Sequence, residues 1–434
     1  MDSLRIVKSD LITEANISAF IPRSIIHLES IRKSVQKIID EVIINGDKAL
    51  IKFTKKFDNV KLSVSELQVS QNEILEAYDG IDKNLLEAFR YAKKNLMKFH
   101  QAQKRDDWTI EIENGVNAGQ IYRPLESIGI YIPGGKAIYP STLLMAATPA
   151  RMAGVKDIIL CSPPQKNKKI APEILVAANE FNIKKIYCCG GAHAIAAMAY
   201  GTKTIPKVQK IIGPGNIWVT GAKQLLSHEV AIDIPAGPSE ILIIADKTAD
   251  FNYVIADFIS QIEHDPDNVG IIVSDSRELI ESVKNNIEDY IAKSKRKDII
   301  KEAIELSSLI IETKNIEDSI RISNLIAPEH LEILTKTPKE VLKKINNAGA
   351  IFLGPFSPVP LGDYCAGTNH ILPTGGKCAQ YSGLNIYNFL KIIDVLDCNK
   401  EGLKTLSKAA ITIAEFEGLF AHKKSVEARL ISKN

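Results

Sequence analysis

Short apolar runs rich in β-branched residues alternate with helical stretches from about residue 127 onward, and this alternation limits the fold more than any other feature of the chain. It is typical of α/β units with a largely parallel sheet. Before it, apolar residues from residue 31 to about residue 105 recur at three- and four-residue spacing, which predicts mostly helix. The runs that we predict as strands are 128–132, 157–161, 185–189, 241–245, 269–274, 309–312 and 350–353.

Glycine and proline punctuation divides the α/β region. Pro133-Gly134-Gly135 follows the first predicted strand, and Pro235-Ala236-Gly237-Pro238-Ser239 precedes the strand at residue 241. Such turn-rich segments commonly join elements or domains. We therefore expect an N-terminal extension (1–26), a discontinuous α/β domain (27–130 and 240–381), a second α/β domain (131–239) and a helical C-terminal extension (382–434).

The composition is that of an ordinary globular protein, with 45% hydrophobic and 24% charged residues. A net charge of +2 gives no reason to expect nucleic-acid binding, which needs a concentrated cationic surface. No uninterrupted apolar stretch reaches about 18 residues, and residues 1–30 hold no apolar core of signal-peptide length. The six cysteines show no Cys-x-x-Cys spacing, which favours reduced thiols. We predict a cytoplasmic protein with no membrane segment.

Four of the eight histidines lie beyond residue 260, each beside an acid or an amide. Imidazole, carboxylate and amide oxygen together suit a borderline divalent ion such as zinc, whereas a thiolate site would need paired cysteines. Chance clustering is the competing interpretation. The pairs are Gln261 with His264 near the end of a helix predicted at 250–263, Glu329 with His330, Asp363 with His370, and Glu417 with His422.

Two further segments suggest chemistry. Gly213-Pro214-Gly215-Asn216 precedes a helical run, and backbone amides at a helix start can hold a phosphate. The segment lacks a full Gly-x-Gly-x-x-Gly, so nucleotide binding and a simple turn both stay open. The sequence predicts that one turn presents Glu329 and His330, which can divide proton abstraction and water activation between them. The alternative is that both are ordinary polar residues exposed to solvent.

Five phrases, in order along the chain, resemble the motif series of the histidinol dehydrogenase family. The resemblance implies two incomplete Rossmann-like α/β domains, and an NAD-dependent, zinc-binding enzyme that oxidises L-histidinol through histidinaldehyde to L-histidine. Two NADH would form in these last steps of histidine biosynthesis. The phrases are Pro235-Ala236-Gly237-Pro238-Ser239-Glu240, Ser260-Gln261-Ile262-Glu263-His264-Asp265-Pro266-Asp267, Ala327-Pro328-Glu329-His330-Leu331-Glu332, Gly362-Asp363-Tyr364 with Gly367-Thr368-Asn369-His370, and Glu417-Gly418-Leu419-Phe420-Ala421-His422-Lys423.

The same resemblance implies roles for single residues. Domain 131–239 would bind NAD, and the discontinuous domain would carry most zinc-binding and catalytic residues. Glu329 and His330 would be the proton acceptors. One Zn²⁺ per subunit would be held by Gln261, His264, Asp363 and His422; the substrate would be contacted by these four and by Ser239, His330, His370 and Glu417; NAD would be contacted by Tyr131, His193 and Asn216.

Two features of the resemblance concern this chain in particular. The family usually has glutamine where this chain has His193, so we expect a weakened or pH-sensitive NAD affinity. The resemblance also implies a homodimer in which the C-terminal extension crosses to the partner, so that Glu417 and His422 complete the other subunit's site.

Two other functions compete with the dehydrogenase. One is a zinc-dependent hydrolase with Glu329 as general base, and the other is a non-catalytic protein that binds a metal or a nucleotide. Neither explains why all five phrases occur together and in order.

Overall fold

The computed structural model describes residues 4–21, 23, 28–134, 138–233 and 237–431. Gly135 of the first predicted turn, Pro235 and Ala236 of the first phrase, and part of the predicted extension 1–26 lie outside these residues. The strands are β1 (Arg5–Lys8), β2 (Trp108–Glu113), β3 (Val116–Pro124), β4 (Ser127–Tyr131), β5 (Asp157–Ser162), β6 (Lys185–Cys188), β7 (Lys210–Ile212), β8 (Ala231–Ile232), β9 (Glu240–Ala245), β10 (Val269–Ser274), β11 (Leu309–Glu312), β12 (His330–Leu334), β13 (Ala350–Leu353) and β14 (Leu390–Cys398).

Helices occupy most of the remaining chain. They are α1 (Ile17–Phe20), α2 (Leu28–Asn45), α3 (Asp47–Phe57), α4 (Gln71–Gly80), α5 (Lys83–Gln101), α6 (Pro140–Ala153), α7 (Pro172–Glu180), α8 (Gly191–Tyr200), α9 (Ile217–Leu225), α10 (Phe251–Ile262), α11 (Arg277–Lys293), α12 (Lys297–Ser307), α13 (Ile316–Ile326), α14 (Pro338–Leu342), α15 (Val359–Tyr364), α16 (Lys400–Phe416) and α17 (Phe420–Ile431).

A six-stranded parallel sheet, in the order β1-β11-β10-β9-β12-β13, forms the larger half. Its central strands are buried on both faces, because helices cover each side of the sheet. Along β9, Ile241 and Ile243 pack toward α10, while Leu242 and Ile244 pack into the core on the opposite face. The predicted α/β class with mostly parallel sheets is confirmed.

A five-stranded parallel sheet, in the order β6-β5-β4-β7-β8, forms the second half. Helices α2 to α5 share its hydrophobic core, and the stripe Val35, Ile38, Ile39 and Val42 of α2 is buried there. This packing differs from the predicted grouping of 27–130 with 240–381. The apolar periodicity of a helix shows which face is buried, but it does not show which sheet covers that face.

A third, antiparallel sheet has the order β14-β3-β2 and was not predicted. The C-terminal extension therefore contains the long strand β14 and is not wholly helical as expected. Strand β2 is exposed along its whole length, yet it has the period-two alternation of a strand, with Trp108, Ile110 and Ile112 on one face. That alternation was the signal that would have identified it.

Within the part of the chain that the structure describes, no helix is both long enough and apolar enough to span a bilayer.

Candidate active site

The candidate site lies at the amino edge of the six-stranded sheet. Strands β9 and β12 are parallel neighbours, so their first residues, Glu240 and His330, begin at the same edge. Helix α10 follows β9 and leads back to the parallel strand β10, so its C-terminal end, which carries Gln261, returns to this edge. One strand pair and one helix end thus bring together residues that are distant in sequence.

His330 is the centre of the site and is 3% exposed. Its Nδ1 lies 3.0 Å from the backbone oxygen of Glu240. Because a carbonyl oxygen only accepts, Nδ1 carries a proton and donates it. Nε2 lies 3.4 Å from Oδ1 of Asp363 and has no hydrogen-bond partner among the described residues. In the neutral ring, this nitrogen therefore holds an unused lone pair.

Two carboxylates flank His330 and set its charge. Oε2 of Glu329 lies 3.4 Å from Nδ1, and Asp363 lies on the other side of the ring. Burial favours the neutral ring, but Glu329 and Asp363 together outweigh it and raise the pKa of His330 well above its usual value. Burial also raises the pKa of Glu329, whereas the nearby histidines, led by His330, hold the pKa of Asp363 below its usual range. Neutralising either carboxylate would lower the pKa of His330 and favour the neutral ring.

Three of the four predicted zinc ligands lie at this edge of the sheet. Gln261 is in the last turn of α10 and is 3% exposed. His264 lies just beyond the helix, which ends at Ile262 and not at residue 263. Asp363 is in the last turn of α15 and interacts electrostatically with His264 and His330. These groups offer an amide oxygen, an imidazole and a carboxylate, which is a donor set that fits zinc.

Ser239 is attached to the same region through a residue that sequence reasoning missed. Oδ1 of Asn268 accepts the Ser239 N–H at 3.1 Å, and Nδ2 of Asn268 donates to the Gln261 carbonyl at 2.9 Å. Asn268 is buried and ties the strand entry at Ser239 to the end of α10. Asn268 directly follows the second family phrase and directly precedes β10. Nothing else in the sequence indicates a role for it in the site.

Glu417 and His422 are not brought into this group. Glu417 caps α16, His422 is in α17, and both are exposed. Among the contacts of the described residues, no hydrogen bond or ion pair joins either of them to Gln261, His264 or Asp363. Within the described ranges no three His, Cys, Asp or Glu residues are grouped closely enough to hold a metal ion. Of the four predicted zinc ligands, the described chain thus brings Gln261, His264 and Asp363 to one edge of the sheet and leaves His422 apart from them.

His370 connects the site to the other half of the molecule. Its Nδ1 donates to the Asp363 carbonyl at 2.8 Å, and its Nε2 accepts from the Thr142 hydroxyl at 3.3 Å. The neighbouring Asn369 is buried and donates to the Met145 carbonyl at 2.8 Å. Thr142 and Met145 belong to α6, the helix that follows β4, so the loop carrying His370 rests on the five-stranded half.

The predicted NAD residues follow strands of the five-stranded sheet at its carboxyl edge. Tyr131 ends β4, is 4% exposed, and its hydroxyl accepts the Gly191 N–H at 3.1 Å. Gly213 follows β7 at a φ of 123°, and an added Cβ would lie 2.0 Å from the Tyr131 carbonyl oxygen, so only glycine fits. Asn216 caps α9 by accepting the N–H groups of Trp218 and Val219.

His193 does not match the pH-sensitive role that we expected. It is 1% exposed, and its ring packs against Phe53 and Phe57, with Nε2 at 3.4 Å from the Thr54 hydroxyl. Burial lowers the pKa of His193 to about 3. We therefore expect a neutral ring from pH 6 to pH 8 and no pH-sensitive NAD affinity from this residue, while a weakened affinity stays a prediction.

Comparison with known proteins agrees with this geometry. The family model for histidinol dehydrogenase matches residues 21–430. A histidinol dehydrogenase of Methanocaldococcus jannaschii is 47% identical over 420 residues, which cover 96% of this chain and 97% of that protein. One from Lactococcus lactis is 45% identical over 401 residues, covering 92% and 93%. The crystal structure of histidinol dehydrogenase from Elizabethkingia anophelis matches with a TM-score of 0.95 and 41% identity, covering 98% of each chain. The chain therefore belongs to the histidinol dehydrogenase family.

Proposed function

We propose that this protein oxidises L-histidinol through histidinaldehyde to L-histidine, with NAD as hydride acceptor and two NADH formed per substrate, in the last steps of histidine biosynthesis. The observation that carries the proposal is the position of His330. Its Nδ1 is bound to a carbonyl, its Nε2 lacks a partner among the described residues, and carboxylates lie on both sides. In its neutral form the ring can accept the hydroxyl proton at Nε2 as hydride leaves the carbinol carbon, and the two carboxylates would stabilise the imidazolium that forms.

The second oxidation needs a hydrated aldehyde, because only the hydrate carries a hydrogen that can leave as hydride. Glu329 is the candidate to activate that water. Burial raises the pKa of its carboxyl, which brings the group closer to working pH and makes it a better proton acceptor. Oε2 of Glu329 lies 3.4 Å from Nδ1 of His330, so both steps can take place on a substrate that does not move.

Gln261, His264, Asp363 and His422 would hold one Zn²⁺ per subunit. When bound, zinc would supply an anchor for the substrate's imidazole and amine nitrogens and so fix the reacting carbon. Ser239, His370 and Glu417 would contact the substrate around that anchor. Tyr131, His193 and Asn216 stay predicted NAD contacts, and a cytoplasmic location also stays a prediction.

We propose a homodimer in which Glu417 and His422 enter the partner's site. Supporting this, the C-terminal elements expose large apolar side chains: Phe416 is 92% exposed and Leu396 68%. Strand β2 and helix α17 add Ile110, Ile112 and Phe420 to this exposed set. An apolar surface of this extent is typical of an interface.

The test of the activity is NADH formation at 340 nm with zinc-loaded protein, NAD and L-histidinol. We expect about two NADH per histidinol consumed, and a large loss in His330→Ala because the general base is removed. About one NADH would mean that the aldehyde escapes and would contradict the role of Glu329. Turnover of an ester or amide without NAD, and no NADH, would favour the zinc hydrolase.

The test of the shared site is complementation between two inactive variants. His330→Ala and His422→Ala protein would be mixed, unfolded and refolded together. If sites are shared, each mixed dimer contains one intact site, and activity should return to about a quarter of the parent value. No recovery, with mixed dimers verified by mass after one of the two variants is labelled with ¹⁵N, would contradict the crossing of the C-terminal extension.

A further inference from the structure

We propose that Arg23 and Glu240 form a positioning pair that holds Glu329 and His330 in their working orientation. Neither residue is among the predicted catalytic, metal or substrate residues. The inference rests on the proposed function for its consequences in catalysis, but the contacts that carry it do not depend on that function.

The side chain of Glu240 is buried and fully engaged. It is 3% exposed. The guanidinium of Arg23 binds it through two bonds, Nε to Oε1 at 2.9 Å and Nη2 to Oε2 at 3.0 Å. The Gly375 N–H also donates to Oε1 at 2.9 Å, and Arg23 Nη2 reaches the Ile326 carbonyl at 2.7 Å. A two-bond arginine–carboxylate contact fixes direction as well as distance.

The backbone of Glu240 contacts both proposed proton acceptors. Its N–H donates to Oε2 of Glu329 at 2.8 Å, and its carbonyl accepts from Nδ1 of His330 at 3.0 Å. A rotation of this one peptide segment would therefore misplace the carboxylate and the imidazole together. The side-chain contacts with Arg23 and Gly375 oppose that rotation.

The sheet alone does not need this ion pair. Strands β9 and β12 are already joined by a parallel ladder that pairs His330 with Ile241 and continues to Leu334 with Ala245. Burying a charged group at the start of a strand costs folding free energy, and an apolar residue there would leave the hydrogen bonds between the two strands equally intact. Burial raises the pKa of Glu240 even with Arg23 beside it, which reflects this cost. The geometry therefore assigns the pair to orientation of the site.

The pair also joins segments that carry the site. Arg23 comes from the N-terminal segment, Ile326 ends α13 just before Glu329, and Gly375 belongs to the loop that follows His370. Gly376 has a φ of 73°, and an added Cβ would lie 2.3 Å from Nη1 of Arg23. The loop passes so close to the guanidinium that a side chain there would displace it.

The experiment compares Arg23→Lys and Glu240→Gln with the control Arg90→Lys. Arg90 forms a similar two-bond contact with Glu180, at 3.3 and 3.1 Å, between α5 and α7 and away from the site. Lysine keeps the positive charge near Glu240 but cannot reproduce both bonds, and glutamine keeps the shape of the side chain, so both variants are expected to fold. Measurements are kcat, the KM values for NAD and histidinol, the melting temperature and the ¹⁵N-detected Hδ1 signal of His330, assigned with His330→Ala.

We expect Arg23→Lys and Glu240→Gln to lower kcat by about 10- to 100-fold, because small misplacements of reacting groups have effects of this size. The KM for NAD should stay within about twofold, since NAD contacts lie on the other sheet. The protected Hδ1 signal of His330 should shift or exchange faster in both variants and stay unchanged in Arg90→Lys.

An unchanged kcat and Hδ1 signal in both site variants would overturn the proposal. So would losses of kcat that accompany a lower melting temperature while the Hδ1 signal stays in place, because that pattern indicates a purely structural role. If the parent protein formed no NADH, the proposed function would fail, and the Hδ1 comparison would still decide whether Arg23 and Glu240 position His330.

Discussion

The buried ion pair between Lys223 and Asp233 yields the most direct test of how the glycine turn after β7 is held. Lys223 in α9 is 8% exposed and Asp233 after β8 is 9% exposed. The Gly213 N–H donates to Asp233 Oδ2 at 2.7 Å, and Nζ of Lys223 donates to the Gly213 carbonyl at 2.9 Å. The pair therefore holds Gly213 from both sides, through its donor and its acceptor.

Replacing Lys223 by methionine removes the charge but keeps most of the apolar stem. A decrease in the free energy of unfolding therefore reports on the charge. Asp233 would then be a buried carboxylate with one remaining donor. Breaking a buried pair in this way costs about 3–5 kcal/mol. The double variant Lys223→Met, Asp233→Asn has no orphaned charge, and asparagine can still accept the Gly213 N–H. We expect it to recover most of the loss.

The assay is denaturant unfolding followed by the fluorescence of Trp218, which lies in α9 beside the turn. The chain has one other tryptophan, Trp108. Replacing it by phenylalanine would make Trp218 the single fluorescent tryptophan. Lys185→Met is the matched control, because its pair with Asp157 in the same sheet is half exposed and should contribute about 1 kcal/mol or less. A loss in Lys223→Met no larger than in this control, or no recovery in the double variant, would refute the reasoning.

Two further predictions concern buried titratable groups. Burial and the neighbouring Asp257 carboxyl raise the pKa of Glu332 from 4.5 to about 9, so the folded protein keeps a proton that the unfolded chain releases above its own pKa. Stability should therefore fall as pH rises from about 4.5 toward 9. The variant Glu332→Gln cannot ionise at this position. Its free energy of unfolding minus that of the parent should therefore be larger at pH 8 than at pH 5. An equal difference at the two pH values would contradict this. For His193, whose pKa is about 3, NAD affinity should be the same at pH 6 and pH 8 in the parent and in His193→Gln. A titration step in that range that disappears in the glutamine variant would show that the ring ionises.

Much of the sheet architecture was predictable because buried parallel strands leave a local signal. The predicted strands at 269–274, 309–312 and 350–353 coincide with β10, β11 and β13, and the others differ by a residue at one or both ends. Continuous β-branched runs bounded by helices and turns mark such strands. The short strands β1, β7 and β8 were missed because a few residues carry too little periodicity. The five-residue strand β12, which begins at His330, was also missed.

The packing of distant segments against one another was harder to predict from the sequence. The helices of residues 28–101 have a clear apolar face, but two sheets could cover it, and the structure places it on the five-stranded sheet. Trp218 is 36% exposed, because its helix begins at the open edge of that sheet. Such outcomes depend on which surfaces meet, and the local sequence does not encode this.

The family phrases contain most residues of the candidate site, although Asn268 was missed and Glu417 and His422 lie apart from the others. The place of the site in the fold was not predicted. Ligands of open parallel α/β sheets usually bind beyond the carboxyl ends of the strands. Tyr131 and Gly213 follow that rule in the five-stranded sheet, whereas Glu240 and His330 begin their strands. The site residues were recognisable in the sequence, but the edge on which they lie follows from how β9, α10 and β12 are connected.

This opposite placement has a chemical consequence. A base at the amino edge of one sheet and a predicted NAD site at the carboxyl edge of the other can face each other only if the two edges meet. The bond between His370 and Thr142 is such a meeting point, because it joins the loop beside Asp363 to the helix that follows β4. A substrate held between them would have a proton acceptor on one side and a hydride acceptor on the other, which is the arrangement that alcohol oxidation requires.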